Sequence, residues 1–526
     1  MKAGKIIFAL IAGLGISFCF IAGRSLDLYY TLDITQKSFY IKWLALGSVL
    51  TVCIHLLWEA ASGALKLPVH FINGWNRIEK QISFWKVLVV IFVLWLPAWL
   101  AIFPGVFSYD AYDEWQQIYN GNITAHHPVL HVLFCGGGIE AVYRLTGSYN
   151  LGIAICTVMQ MLVLAGVFSY TVMFLKEQGV SLSLRVFAIL FYGISPVIQL
   201  FAIASTKDVF FAAAFLVFLI SVFRICTKQE QFFTNKKWKI QFVVSSVFTM
   251  IMRNNGLYIV IISLVVVMWY CRKYLKSLLY IYAPIVLIYL MYVGPFYSLL
   301  NVAPGGIEEM LSVPIQQIAR VHKYEKEEIS QEDLDYLYTV IPQSNWEAYR
   351  PTVSDFVKAG FQSEVFGQDV GRFFSIWIKL GMKHPMTYLN SFLNGTVDYW
   401  YPFAVVDGYQ DVYGKSSYFD YKVSEPGTER SLIPALYSVY ESISHDKEVQ
   451  KIPGMFLILS PGWYMILYLL LFLYAIRERK YGSIVFLLPI LLNLGTVFLG
   501  PIALVRYVLI QFFAFPIYCV IFTTSK

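Results

Sequence analysis

Lys207-Asp208-Val209-Phe210-Phe211-Ala212-Ala213-Ala214-Phe215-Leu216-Val217-Phe218-Leu219-Ile220-Ser221-Val222-Phe223-Arg224 is the stretch that decides the fold class. Between its opening charges and its closing arginine the only hydroxyl is Ser221. A run of this kind, close to the roughly 20 residues that a helix needs to cross a bilayer core, is a membrane span. Similar runs recur along the whole chain. They predict spans at 5–23, 41–58, 86–103, 150–174, 186–204, 207–224, 240–252, 255–271, 276–295, 453–475, 482–499 and 503–522. Composition agrees: 58% of the 526 residues are hydrophobic and 14% are charged, against about 45–50% apolar in soluble domains. The expected fold is an all-α polytopic membrane protein with about 12 transmembrane helices and a large, mainly helical extracytoplasmic loop.

Charge gives the orientation. With the N-terminus in the cytoplasm, the cytoplasmic segments hold 20 Lys and Arg and the short outer segments hold seven. Basic residues gather on the cytoplasmic side of short loops, so both termini are expected there, in a multi-pass plasma-membrane protein. The net charge of +7 then reports orientation and calls for no nucleic acid. The first apolar run, Ile6 to Ala22, follows Lys2 and Lys5 without a small-residue cleavage site, and reads as a retained helix. The seven cysteines lie outside the large loop and form no CxxC, which suggests neither a disulfide framework nor a zinc site. Arg253-Asn254-Asn255 interrupts the apolar run from 240 to 271. Two short helices would put Arg253 at a membrane surface, which costs less than burying it in lipid.

Four segments follow: two N-terminal spans and a cytoplasmic loop (1–85), a transmembrane core (86–296) with a first outer loop at 104–149, an extracytoplasmic loop domain (297–452), and three C-terminal spans (453–526). The loop 297–452 carries 21 acidic and 13 basic residues. Within it the aromatic, amphipathic stretch Arg372–Leu380 reads as a helix lying in the membrane interface. The apolar stretch from Val129 to Tyr143 reads as a juxtamembrane helix.

The residues able to carry chemistry gather at predicted outer ends. Residues 104–127 hold Asp110, Asp113 and Glu114 with no Lys or Arg, and close on His126-His127-Pro128. A carboxylate beside apolar surface has a raised pKa and can act as a base; three of them could instead hold a divalent cation, or be solvated loop charges. Their spacing puts all three on one helical face. Lys207 and Asp208 open a span, where a salt bridge or helix cap is the plainer account. Arg253 and Arg506 sit at outer span ends. Arginine binds phosphate through a two-pronged fork, though interfacial snorkelling also explains such positions. Gln316, Gln317 and Arg320 open the soluble-like loop.

Several stretches together carry a resemblance: Pro104-Gly105-Val106-Phe107-Ser108-Tyr109-Asp110, the His126-His127-Pro128 close, Lys207-Asp208, Arg253-Asn254-Asn255-Gly256, Val313-Pro314-Ile315-Gln316-Gln317-Ile318-Ala319-Arg320, Ser354-Asp355-Phe356-Val357-Lys358 and Arg506-Tyr507. From about residue 86 onward the chain resembles the GT-C superfamily of membrane glycosyltransferases, in a bacterial integral-membrane branch. The resemblance implies transfer of a sugar from a polyprenyl-phosphate donor to a glycan, lipid or protein acceptor on the outer leaflet. It implies an aspartate of the first outer loop as base or acceptor guide, with Asp110 the expected carboxylate beside Asp113 and Glu114. The expected substrate-binding residues are His126, His127, Lys207, Asp208, Arg253, Gln317, Arg320, Arg506 and Tyr507. The Asp-Glu pair of protein O-mannosyltransferases appears only as Asp113-Glu114, displaced from Asp110. A transporter or flippase of lipid-linked glycans, or an envelope-assembly scaffold, is the competing expectation; transporters tend to carry related halves and midplane sites, and no half-repeat is visible.

Overall fold

The computed structural model describes residues 2–63, 82–404 and 425–522. Part of the expected cytoplasmic loop before residue 85, part of the expected extracytoplasmic loop and the last four residues lie outside the described residues. Among those described the chain is helical, without a strand and with isolated bridges only. Seven helices are long and apolar enough to cross a membrane: Gly4–Tyr29, Lys37–Gly63, Phe84–Ala101, Tyr149–Glu177, Lys207–Thr227, Arg272–Leu299 and Val505–Phe522. Leu182–Ile194 and Pro196–Ala202, bent by 56°, make an eighth if they cross as one. This is an α-helical polytopic membrane protein with fewer clear spans than the twelve expected. Asn254–Tyr270, Pro461–Arg477 and Tyr481–Val497 are apolar but have 17 residues each. At 1.5 Å per residue they rise about 26 Å, short of a hydrocarbon core of about 30 Å.

The Lys207–Arg224 run lies at the centre of the bundle. Lys207–Thr227 has 83% of its apolar window buried, against 17% for Lys37–Gly63. An all-apolar surface is buried by neighbours or by lipid; here the neighbours include Tyr149–Glu177, Lys236–Met252, Tyr481–Val497 and the terminal span. The N-terminal hairpin, α1 (Lys2–Tyr29) and α2 (Lys37–Gly63), is fastened at both ends. At its tip Leu32 N donates to Asn390 Oδ1 (2.7 Å), and Asn394 Nδ2 and Arg320 Nη2 donate to Tyr30 O (2.9 and 2.7 Å). At its other end Lys5 Nζ donates to Glu478 Oε1 (2.9 Å), and Arg477 pairs with Glu59.

The loop has its own small core: Ile315, Ile318, Leu337, Trp346, Phe373, Ile376 and Leu380 are buried together. This corrects the reading of Arg372–Leu380. The helix Val370–Lys383 turns Phe373, Ile376 and Leu380 inward, so its apolar face packs in protein, where a hydrophobic stripe is equally well satisfied. The following helix, Pro385–Trp400, joins the main core through Val397, Tyr399 and Trp400. The stretch from Val129 to Tyr143 is helical with a wide turn at Leu133–Gly137, and packs through Cys135 and Ile139 on Phe107 and Ala111.

Candidate functional site

Two helix N-termini are brought side by side by a short backbone splice. Val106 N donates to Ile203 O (2.9 Å) and Ser205 N to Val106 O (2.8 Å). Gly105 makes the approach possible: its φ is +131°, and a Cβ there would collide with the Thr157 side chain. An L side chain seldom adopts that φ. The splice sets the start of Tyr109–Tyr119 next to the start of Lys207–Thr227. Asp110 and Asp208 therefore both lie in first turns, where the helix dipole favours negative charge.

Two arginines reach the same place from far along the chain. Arg253 sits in extended conformation (φ −152°, ψ 141°) between Lys236–Met252 and Asn254–Tyr270. The break is as expected, and its tightness depends on Gly256, where a Cβ would lie on the Thr249 carbonyl. Arg506 opens the terminal span on a 3-10 turn. Asp110 Oδ2 accepts from Lys207 Nζ (3.0 Å) and from Arg506 Nη1 (2.9 Å). Asp208 pairs with Arg253, and Arg506 Nε lies 3.6 Å from Asp208 Oδ2. The Tyr507 ring stacks under Arg253 at 4.3 Å and under Arg506 at 5.2 Å. The expected gathering of Lys207, Asp208 and Asp110 at one place is thus found, and Arg253, Arg506 and Tyr507 join it.

The three carboxylates of Tyr109–Tyr119 have separate surroundings. Burial pushes the Asp110 carboxyl up, but the Arg506, Lys207 and His127 side chains outweigh it and hold the group well below the usual carboxylate range. The expectation of a raised Asp110 is overturned: its neighbours are cations, not the apolar surface suggested by the preceding sequence. Asp113, exposed on the same helix, moves the other way, raised by partial burial and then by the Asp110 charge. Glu114 is buried, its Oε2 2.5 Å from His131 Nδ1 and its Oε1 3.9 Å from His127 Nδ1. One helical face does not make one shared site, and the option of a cation held by all three loses its geometry. Among the described residues no group of three or more His, Cys, Asp and Glu is arranged to hold a metal.

His127 is 2.6 Å from Lys207 Nζ through Nδ1. Burial and then the Lys207 charge push its pKa down to about 2. A neutral ring facing an ammonium accepts through Nδ1 and carries its proton on Nε2. Glu114 Oε1, His127 Nε2 and His131 Nε2 are buried without a hydrogen-bond partner. His126 is exposed, its ring 4.7 Å from that of His127. His131 escaped the sequence reading, although its i, i+4 spacing from His127 was a usable signal.

Gln317 and Arg320 are engaged elsewhere. Gln317 donates to Tyr388 O (3.3 Å) and accepts from Trp377 Nε1 (2.8 Å). Arg320 bonds Tyr30 O and the Tyr349 hydroxyl (3.1 Å). These contacts hold the loop core and dock it on the hairpin, and neither residue bonds to the Asp110 cluster. Gln316 donates to the Arg350 carbonyl.

A family described as a family of unknown function, DUF6020, matches residues 120–526. The chain belongs to the DUF6020 family. No curated protein and no solved structure matches it. Lys207, Asp208, Arg253 and Arg506 fall within the DUF6020 match, whereas Asp110, Asp113 and Glu114 precede it.

Proposed function

We propose that this chain is a membrane glycosyltransferase that takes a sugar from a polyprenyl-phosphate donor and passes it to a hydroxyl of a cell-envelope glycan, lipid or protein. The observation that carries this reading is the convergence of Lys207, Arg253 and Arg506 on two first-turn carboxylates, with Asp113 one turn beyond Asp110. Phosphate and an attacking hydroxyl need these two kinds of group within reach of each other. The proposal includes a GT-C-like bundle of twelve crossings, in which the bent pair, the three short apolar helices and Lys236–Met252 also span. It includes a bacterial plasma-membrane location with both termini cytoplasmic and the cluster at the outer leaflet, among membrane lipids.

In this reading Lys207, Arg253 and Arg506 bind the donor phosphate, with arginine's fork giving direction as well as charge. The acceptor oxygen attacks the anomeric carbon, the bond from that carbon to the phosphate oxygen breaks, and its electron pair leaves on the phosphate. The hydroxyl proton goes to a carboxylate. Asp113 is the better acceptor because it is exposed and its affinity for a proton is raised, whereas Asp110 is committed to two cations. Asp110 is then a positioning residue for Lys207 and Arg506. His127 holds Lys207 in place, and His126 and Tyr507 border the reacting groups.

The test is transfer of a radiolabelled sugar from polyprenyl phosphate by the purified protein in detergent. Transfer that Asp113→Asn abolishes supports the reading. Phosphate binding and lipid translocation without any transfer would overturn it in favour of a flippase.

A further inference from the structure

The cation cluster is already occupied by the protein's own carboxylates. Arg506 stretches between Asp110 and Asp208, with Nη1 at 2.9 Å from one and Nε at 3.6 Å from the other. Lys207 completes the hold on Asp110 at 3.0 Å. Each carboxylate sits where an anionic oxygen would be met by cations, at the head of a helix. The cations are nonetheless within reach: the side chains of Lys207, Arg253 and Arg506 are 15, 17 and 11% exposed, while that of Asp208 is fully covered.

We propose that Asp110 keeps the place of the donor phosphate, and that the arriving phosphate takes Arg506 and Lys207 from it. The proposal rests on the transferase reading above and names its regulation. A dianionic or monoanionic phosphate offers more oxygens than a carboxylate, and so competes well for a planar fork and an ammonium together. Asp110 is not stranded by the exchange, because it keeps the field of its own helix N-terminus.

The consequence for Asp113 follows from the groups that face it. Asp110 and Glu114 raise its proton affinity; His126 and Lys207 lower it. Donor binding adds the phosphate's negative charge, draws the Lys207 charge away and leaves the Asp110 charge less compensated. All three changes act in one direction. The base is therefore weakest when no donor is present and strongest when the sugar is in position. Asp110 itself is faced by Arg506, Lys207 and His127 from other segments and by Asp113 on its own helix; Asp208, with Arg253 on it, competes for Arg506.

The experiment uses the full chain in detergent and dodecyl phosphate as the probe. Calorimetric binding should be about tenfold tighter to Asp110→Asn than to the native chain, since a charge-assisted competitor has been removed. Arg506→Ala should bind more weakly by at least as much, and Asp110→Asn/Arg506→Ala should lose most of the gain. Equal or weaker binding by a folded Asp110→Asn, or a gain that survives intact in the double variant, overturns the exchange. A second readout needs no variant at Asp110: the infrared carboxyl band of isotope-labelled Asp113, assigned with Asp113→Asn, should titrate at higher pH when dodecyl phosphate is added. An unchanged titration overturns the coupling. Neither readout involves a sugar, so both can succeed where transfer fails, and the failure then belongs to the transferase reading alone.

Discussion

At the Arg477 end of the molecule the guanidinium is fully covered, bonded to Glu59 and to Glu478, and set over the Trp58 ring. Nearby in kind, Arg224 is 4% exposed, paired with Glu177 and the Tyr170 hydroxyl, and stacked at 4.6 Å on Trp238. At the Asp110 end the cations are several times more exposed, and three of them share two carboxylates. The helix Tyr481–Val497 runs from one end toward the other. The same chemistry is arranged in two ways: covered cations on exposed carboxylates at one end, and partly exposed cations on covered carboxylates at the other. Both ends stack arginines on aromatic rings, so what separates them is cover: the covered guanidiniums hold helices together, and the partly exposed ones are those to which the proposed exchange is assigned.

That contrast predicts separate losses. The largest effect is expected for Asp113→Asn. General acid–base help is worth about 10²–10⁴-fold, so sugar transfer should fall by that order while the thermal midpoint in detergent stays put. A fall in the midpoint with transfer per folded molecule unchanged would break the comparison at its functional end. Next is Arg477→Ala. Removing one partner of a buried pair costs roughly 3–5 kcal/mol, because Glu478 stays covered with less compensation. Thermal or denaturant unfolding in detergent should register it, and transfer per folded molecule should hold.

Smaller still is a shift in pH dependence. Asp113 must be deprotonated to accept a proton, so the acid limb of turnover should lie above the ordinary aspartate range. Asp110→Asn removes a charge that raises Asp113 and leaves Lys207 less neutralised, and both lower its pKa. The limb should therefore move toward lower pH in a turnover profile; movement upward would contradict the assignment. The smallest effect is expected from Arg372→Ala. Its pair with Glu332 is 35 and 86% exposed, and surface pairs contribute about 0–1 kcal/mol. The unfolding midpoint should barely change, which calibrates the loss at Arg477.

Much of the fold was legible in the sequence because lipid imposes a simple rule on apolar runs. Lys207–Arg224 announced a span, and Arg253 announced a break, since a lone guanidinium inside a span is costly. Length was harder. The three 17-residue helices read as full crossings from hydropathy, yet 17 residues rise only about 26 Å. The Asp110 neighbourhood was legible as a gathering and misread in its electrostatics. Its partners lie 97 and 396 residues away, and the sign of a pKa shift belongs to those partners rather than to the local run Phe103–Tyr109. The stripe on Val370–Lys383 showed that something covers it, but periodicity does not say whether lipid or protein does. Residue type alone also did not show that Gln317 and Arg320 tie the loop to its neighbours.

The hairpin's fastenings have a consequence for biosynthesis. Its tip bonds to residues 358 and 364 positions later, and its base to residues 418 and 473 positions later. At about 5–20 residues per second, the ribosome takes on the order of a minute at the slow end to make those partners. Throughout that interval Lys5, Glu59 and the Tyr30 carbonyl wait in the young chain without the contacts that will seat them. The hairpin is thus made well before it is locked, and a chain stopped short of Arg477 would lack the fastenings at its base.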